Sequence, residues 1–150
     1  MKLIKWGAAG QEKTGVIIND IRYSTAAFGE DYNEAFFQSD GLRRLTKYLN
    51  EEQGQLQVVS DQERLGSPIG RPSKLICIGL NYADHAKETG AAMPPEPVIF
   101  MKSTTAIVGP NDDICIPKNS VKTDWEVELA IVIGKKASYI EKEEALDYVA

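Results

Sequence analysis

The chain has 150 residues, 43% of them hydrophobic and 26% charged, with a formal net charge of −5. That is enough apolar material for a packed core, so the expected organisation is one domain, or one small domain plus part of another. Acids and bases are interleaved without a basic patch, which argues against nucleic acid as a partner.

No stretch approaches the ~18 apolar residues of a membrane helix. Met1-Lys2-Leu3-Ile4-Lys5-Trp6-Gly7 holds too short an apolar run for a secretory signal. The expected location is the cytoplasm, with no membrane partner.

In chain order, residues 3–6 and 14–18 read as strands, with Asn19-Asp20 as the turn into a third strand at 21–23. Ser39-Asp40-Gly41 opens a helix whose Leu42, Leu45 and Leu49 share one face. Gly66-Ser67-Pro68-Ile69-Gly70-Arg71-Pro72 reads as a linker. Residues 1–70 are thus expected to form a small mixed module, with charged residues that read as solvated surface.

Past the linker, 74–78 is a nearly continuous apolar strand. A short helix follows through His85 and Glu88, which Gly90 can cap. Pro94-Pro95-Glu96-Pro97 makes a rigid connection to a strand at 98–101. Further strands are predicted at 114–116 and 125–133, the latter the longest. A helix is predicted from Glu141 to Ala150, with no C-terminal stop signal. Cys77 and Cys115 sit in apolar runs and read as buried small hydrophobes rather than a disulfide or a zinc pair. Many short strands with few helices suggest an α+β chain, not a doubly wound sheet.

Three short stretches carry the chemistry. In Asp124-Trp125-Glu126-Val127-Glu128-Leu129, a strand would send both glutamates out of one face, with Cα atoms ~7 Å apart. One reading is a strand with a single wet face. The other starts from Ala130-Ile131-Val132-Ile133, apolar on both faces, which leads the strand into a core. Two like charges at such a mouth repel unless a cation lies between them, and oxygen donors suit Mg²⁺ or Mn²⁺. Two carboxylates alone make a poor site, so a third ligand is expected.

His85, the single histidine, stands three residues before Glu88. On a helix the two are neighbours, so Glu88 can fix the imidazole tautomer and leave the other nitrogen free as a base. A solvated surface pair has the same spacing. Lys102 ends the run Val98-Ile99-Phe100-Met101. It is either an edge guard or a cation for an anionic substrate.

Taken together, the motifs resemble the fumarylacetoacetate hydrolase family over roughly residues 71 to 150. The stretches that carry the resemblance begin with Cys77-Ile78-Gly79-Leu80-Asn81-Tyr82-Ala83-Asp84-His85 and Pro97-Val98-Ile99-Phe100-Met101-Lys102. They continue through Asp124-Trp125-Glu126-Val127-Glu128-Leu129, Val132-Ile133-Gly134-Lys135 and Ala145-Leu146-Asp147-Tyr148-Val149-Ala150.

The resemblance implies a small N-terminal mixed α/β module followed by the first part of a mixed β-roll catalytic domain, usually dimeric. It implies Glu126 and Glu128 as metal ligands for Mg²⁺ or Mn²⁺, His85 and Glu88 as the water-activating dyad, and Lys102 near the substrate. It further implies that the chain continues, with the third ligand, an aspartate, beyond Ala150. Leu80 departs from some acylpyruvate-cleaving relatives, which carry an arginine there.

The implied activity is hydrolysis of a carbon–carbon bond in a 2,4-diketo acid by a homodimer. The alternatives are a ureidoglycolate lyase or oxaloacetate-type decarboxylase reaction at the same site, and a non-catalytic binding or assembly module.

Overall fold

Short apolar runs near the N-terminus build a meander. In the computed structural model, which describes residues 1–52 and 54–150, β1 (Lys2–Trp6) pairs antiparallel with β2 (Lys13–Ile18), and β2 with β3 (Ile21–Ser24). Asn19 and Asp20 have φ of 50° and 61°. Both central residues of a type I′ hairpin turn need positive φ, and these short polar side chains tolerate it.

The expected linker begins in a strand instead. β4 (Leu65–Gly66) pairs with the open edge of β1 through Lys5↔Gly66 and Trp6↔Leu65. The sheet order is therefore β3-β2-β1-β4. On the far edge, Ser24 donates to the Gln57 carbonyl at 2.9 Å and Val59 to the Arg22 carbonyl at 2.9 Å, which lays residues 57–59 along β3.

Two helices cover this sheet: α1 (Glu34–Gln38), capped by the Asn33 side chain, and α2 (Gly41–Glu51). The predicted face of α2 is confirmed, with Leu45 and Leu49 buried and Leu42 half-buried against the same cluster. The core consists of Val16, Tyr32, Phe36, Leu45 and Leu49. A Cβ at Gly41 would overlap the Phe36 ring, so glycine here lets α2 start directly against α1. Tyr32 is fully buried and donates its hydroxyl hydrogen to the Gly15 carbonyl at 3.0 Å. Thr25 Oγ1 lies 2.8 Å from the same phenol. Burial pushes the Tyr32 phenol up to about 12.

The contacts gather Met1–Gly70 with Val108–Ala150 in one unit and Arg71–Ile107 in another. The second unit is a hairpin, β5 (Leu75–Gly79) antiparallel to β6 (Val98–Lys102) from Leu75↔Lys102 to Gly79↔Val98, with α3 (Ala83–Glu88) in the connection. Gly90 has φ of 67° and donates to the Lys87 carbonyl at 3.2 Å, the cap expected of it.

Three expectations fail in the rest of the chain. Residues 114–116 and 125–133 form no strand; among the described residues their one ladder contact is the bridge Ile133↔Val149. Alternation states a preference, but a strand exists only where a neighbour accepts its backbone hydrogen bonds. Trp125, Val127 and Ile131 stand 81%, 76% and 60% exposed.

Cys115 is exposed for the same reason, and Cys77 is half-buried; both are free thiols. The predicted final helix is a 3-10 segment, Lys142–Tyr148, opened by a capping box between Glu141 and Glu144. It stops because Gly134 donates to the Tyr148 carbonyl at 2.8 Å and Ala150 to the Val132 carbonyl at 2.9 Å. Those bonds hold the last residues extended.

Candidate active site

β5 delivers the chain into the loop that precedes His85. Leu80, directly after the strand, has φ of 53°, a left-handed conformation that costs a branched side chain energy. A cavity of about 220 Å³ opens beside it, lined by Ile78, Leu80, Asn81, Met93 and the prolines 94, 95 and 97. Nothing in the sequence pattern signalled the strained Leu80. Only a backbone angle reveals it.

α3 then carries His85 and Glu88 at the predicted i, i+3 spacing, both exposed. The helix is anchored by Ala86, 2% exposed, and closed by Thr89, whose hydroxyl donates to the His85 carbonyl at 2.9 Å. Among the described residues no hydrogen bond or ion pair joins the imidazole to the Glu88 carboxylate. Lys102 ends β6 opposite Leu75 and is exposed.

Glu126 and Glu128 are exposed at alternate positions of the segment that lacks a ladder. Trp125 N–H donates to the Asp124 carboxylate at 2.9 Å just before them. His85, Glu88 and Lys102 thus belong to one unit, and Glu126 and Glu128 to the other. Among the described residues no three of His, Cys, Asp and Glu gather as a metal-binding cluster. The glutamates offer oxygen donors of the type Mg²⁺ and Mn²⁺ prefer, but two of them are fewer than either ion takes from a protein and water together.

The sequence reading also missed an ionic centre in the first unit. Arg64 Nε and Nη2 grip the two Asp112 oxygens at 2.7 and 2.6 Å, and Nη1 reaches Glu12 Oε1 at 2.8 Å. The guanidinium holds both carboxyls below the usual carboxylate range, and the pair of them pushes Arg64 up. These charges are not the solvated surface expected of residues 1–70. No sequence signal could have paired residues 48 and 52 positions apart.

This α+β chain carries a histidine and a glutamate on a hairpin connection and a paired-carboxylate stretch downstream. It belongs to the fumarylacetoacetate hydrolase family: residues 74–150 match the family model described as fumarylacetoacetate (FAA) hydrolase C-terminal.

Two similar curated proteins, each named "Putative hydrolase", come from Burkholderia multivorans and Burkholderia lata. The first is 48% identical and the second 47%, over 100% of this chain and 52% of each relative. A similar solved structure is the fumarylacetoacetate hydrolase from psychrophilic Exiguobacterium antarcticum, at a TM-score of 0.73 and 29% identity. The match covers 99% of this chain and 52% of that one. The chain spans about half the length of the curated relatives it matches. Among the described residues no helix is long and apolar enough to cross a membrane.

Proposed function

We propose that the protein is a Mg²⁺- or Mn²⁺-dependent hydrolase that splits a carbon–carbon bond in a 2,4-diketo acid of the acylpyruvate type. The observation that carries this reading is the family match over residues 74–150, which contains all five candidate residues: His85, Glu88, Lys102, Glu126 and Glu128.

Glu126 and Glu128 would hold the cation, with an aspartate beyond residue 150 as the third protein ligand. When bound, the cation supplies Lewis-acid polarisation of the substrate's keto-acid oxygens. His85 takes a proton from water while Glu88 orients the ring. The water oxygen bonds to the distal carbonyl carbon. The adjoining carbon–carbon bond then breaks, leaving its electron pair on the pyruvyl fragment, which takes up a proton. The products are a carboxylic acid and a 2-keto acid. Lys102 pairs with the substrate carboxylate. We place the working protein in the cytoplasm as a homodimer.

General-base help is typically worth ~10²–10⁴ in rate. His85→Ala in the full-length protein is therefore expected to lose turnover on that scale while the fold survives, since His85 is exposed. Unchanged turnover would remove His85 from the mechanism. Product analysis separates this reaction from the lyase or decarboxylase alternative, which releases urea or carbon dioxide. The remaining alternative is a non-catalytic binding or assembly module. A thermal shift with Mn²⁺ that Glu126→Gln abolishes would argue against it.

A further inference from the structure

The connection between β5 and β6 leaves the hairpin and returns to it beside one cavity. The outgoing stem supplies Ile78, Leu80 and Asn81, and the returning stem supplies Met93, Pro95 and Glu96 to this space of about 220 Å³. α3, with His85 and Glu88, lies between the two stems in the chain. Backbone bonds tie it to both: Ala86 N–H donates to the Tyr82 carbonyl at 3.2 Å, and Ala91 N–H to the Ala86 carbonyl at 2.9 Å. Every one of these residues belongs to the unit Arg71–Ile107, so the cavity and the histidine share one frame.

The walls suit an apolar guest. Proline rings fix the backbone of the returning stem, and Leu80 is held at φ 53° against the cavity. Met93, unbranched and polarisable, can adapt to what enters. Among the described residues the lining has one charged side chain, the Glu96 carboxylate, and neither lysine nor arginine. An anionic tail would therefore meet a like charge with no cation to offset it. At ~30 Å³ per water-sized group, the space holds roughly five to seven methylene-sized groups.

In the hydrolase reading, water activated by His85 adds to the distal carbonyl carbon, and the acyl tail is bonded to that same carbon. The tail thus starts within reach of α3, on the unit that holds the cavity.

We propose that this cavity is the acyl subsite: it takes an apolar tail of the diketo acid, with Leu80 as its apolar wall and Glu96 as the group that rejects a carboxylate-bearing tail. The identity of the guest as a substrate tail rests on the hydrolase reading above. The affinity of the cavity for an apolar chain does not.

The test uses the full-length protein and acylpyruvates that differ in the tail. From acetyl- through butanoyl- to hexanoylpyruvate, kcat/KM should rise about 4-fold per methylene, the worth of a buried CH₂. Isocaproylpyruvate should exceed succinylpyruvate, its carboxylate-tailed isostere, by about 10-fold or more. Glu96→Gln should narrow that ratio about 10-fold. Leu80→Asn, whose side chain tolerates left-handed φ, should cut the gain per methylene to less than about 2-fold. Methyl NMR gives a readout apart from turnover: hexanoate should shift the Ile78, Leu80 and Met93 methyl signals, and adipate should shift them less.

A flat tail series, or a rise that survives Leu80→Asn, overturns the subsite. A ratio untouched by Glu96→Gln overturns the role of Glu96. Wild-type protein inactive on every acylpyruvate sinks the hydrolase reading, and the methyl shifts then judge the cavity by themselves. Methyl signals that hexanoate leaves in place overturn the cavity in either case.

Discussion

Residues 1–70 and residues 113–133 contain the same kinds of apolar side chain, and they fare oppositely. In the first region Val16 is fully buried, because β2 has a hydrogen-bonded neighbour on each side and two helices on one face. In the second Val127 stands 76% exposed on a segment without a ladder among the described residues. The difference lies in the company a strand keeps, since the hydrophobic gain is realised only when a neighbour first accepts the backbone hydrogen bonds. Arg64 and Glu12 of the first region form an ionic centre with Asp112, which lies outside both regions. Glu126 and Glu128, the carboxylates proposed to hold the metal, sit in the second region.

The comparison is sharpest in paired truncations. Leu45→Ala is expected to cost about 2–5 kcal/mol of unfolding free energy, because Leu45 is fully buried in the core cluster. Val127→Ala should change it by less than about 0.5 kcal/mol in the 150-residue chain. Chemical denaturation of both variants checks this, and a large cost at Val127 would mean that its segment has a packed partner.

Next in size is Tyr32→Phe, expected to cost about 1–2 kcal/mol. It leaves the Gly15 carbonyl without its donor and the Thr25 hydroxyl without its partner inside the core. A neutral result would show that water reaches the Tyr32 pocket.

The smallest effect is the one with acid. Arg64 holds the Glu12 and Asp112 carboxyls below their ordinary range, so their folded pKa values lie under the unfolded ones. The stabilisation is complete above the ordinary carboxylate range and is lost as pH falls through the folded values, below about pH 4. Melting temperature should therefore drop more steeply there in wild type than in Asp112→Asn. Equal slopes would mean that these carboxyls contribute no proton linkage.

Much of the ordered part was legible from sequence. Short apolar runs located β1, β2, β3, β5 and β6, the Asn19-Asp20 turn announced itself, and leucine spacing gave the buried face of α2. The candidate residues were singled out from short local motifs, and those motifs fall in both units. What escaped was whatever depends on distant partners. α1 is a five-residue helix defined by Phe36 entering a core assembled elsewhere. β4 is two residues long and exists through its pairing with β1. Residues 125–133 carry a strand's alternation, yet pattern cannot supply the neighbouring chain. The strained Leu80 and the Arg64 centre left no trace in local composition.

The most direct test of the central claim is cleavage of an acylpyruvate by the full-length protein, followed by proton NMR with and without Mn²⁺ or Mg²⁺ and repeated on Glu126→Gln and Glu128→Gln. The account predicts metal-dependent appearance of equal amounts of pyruvate and the matching carboxylic acid, lost in both variants. Cleavage that needs no metal, or that survives loss of either carboxylate, would contradict it.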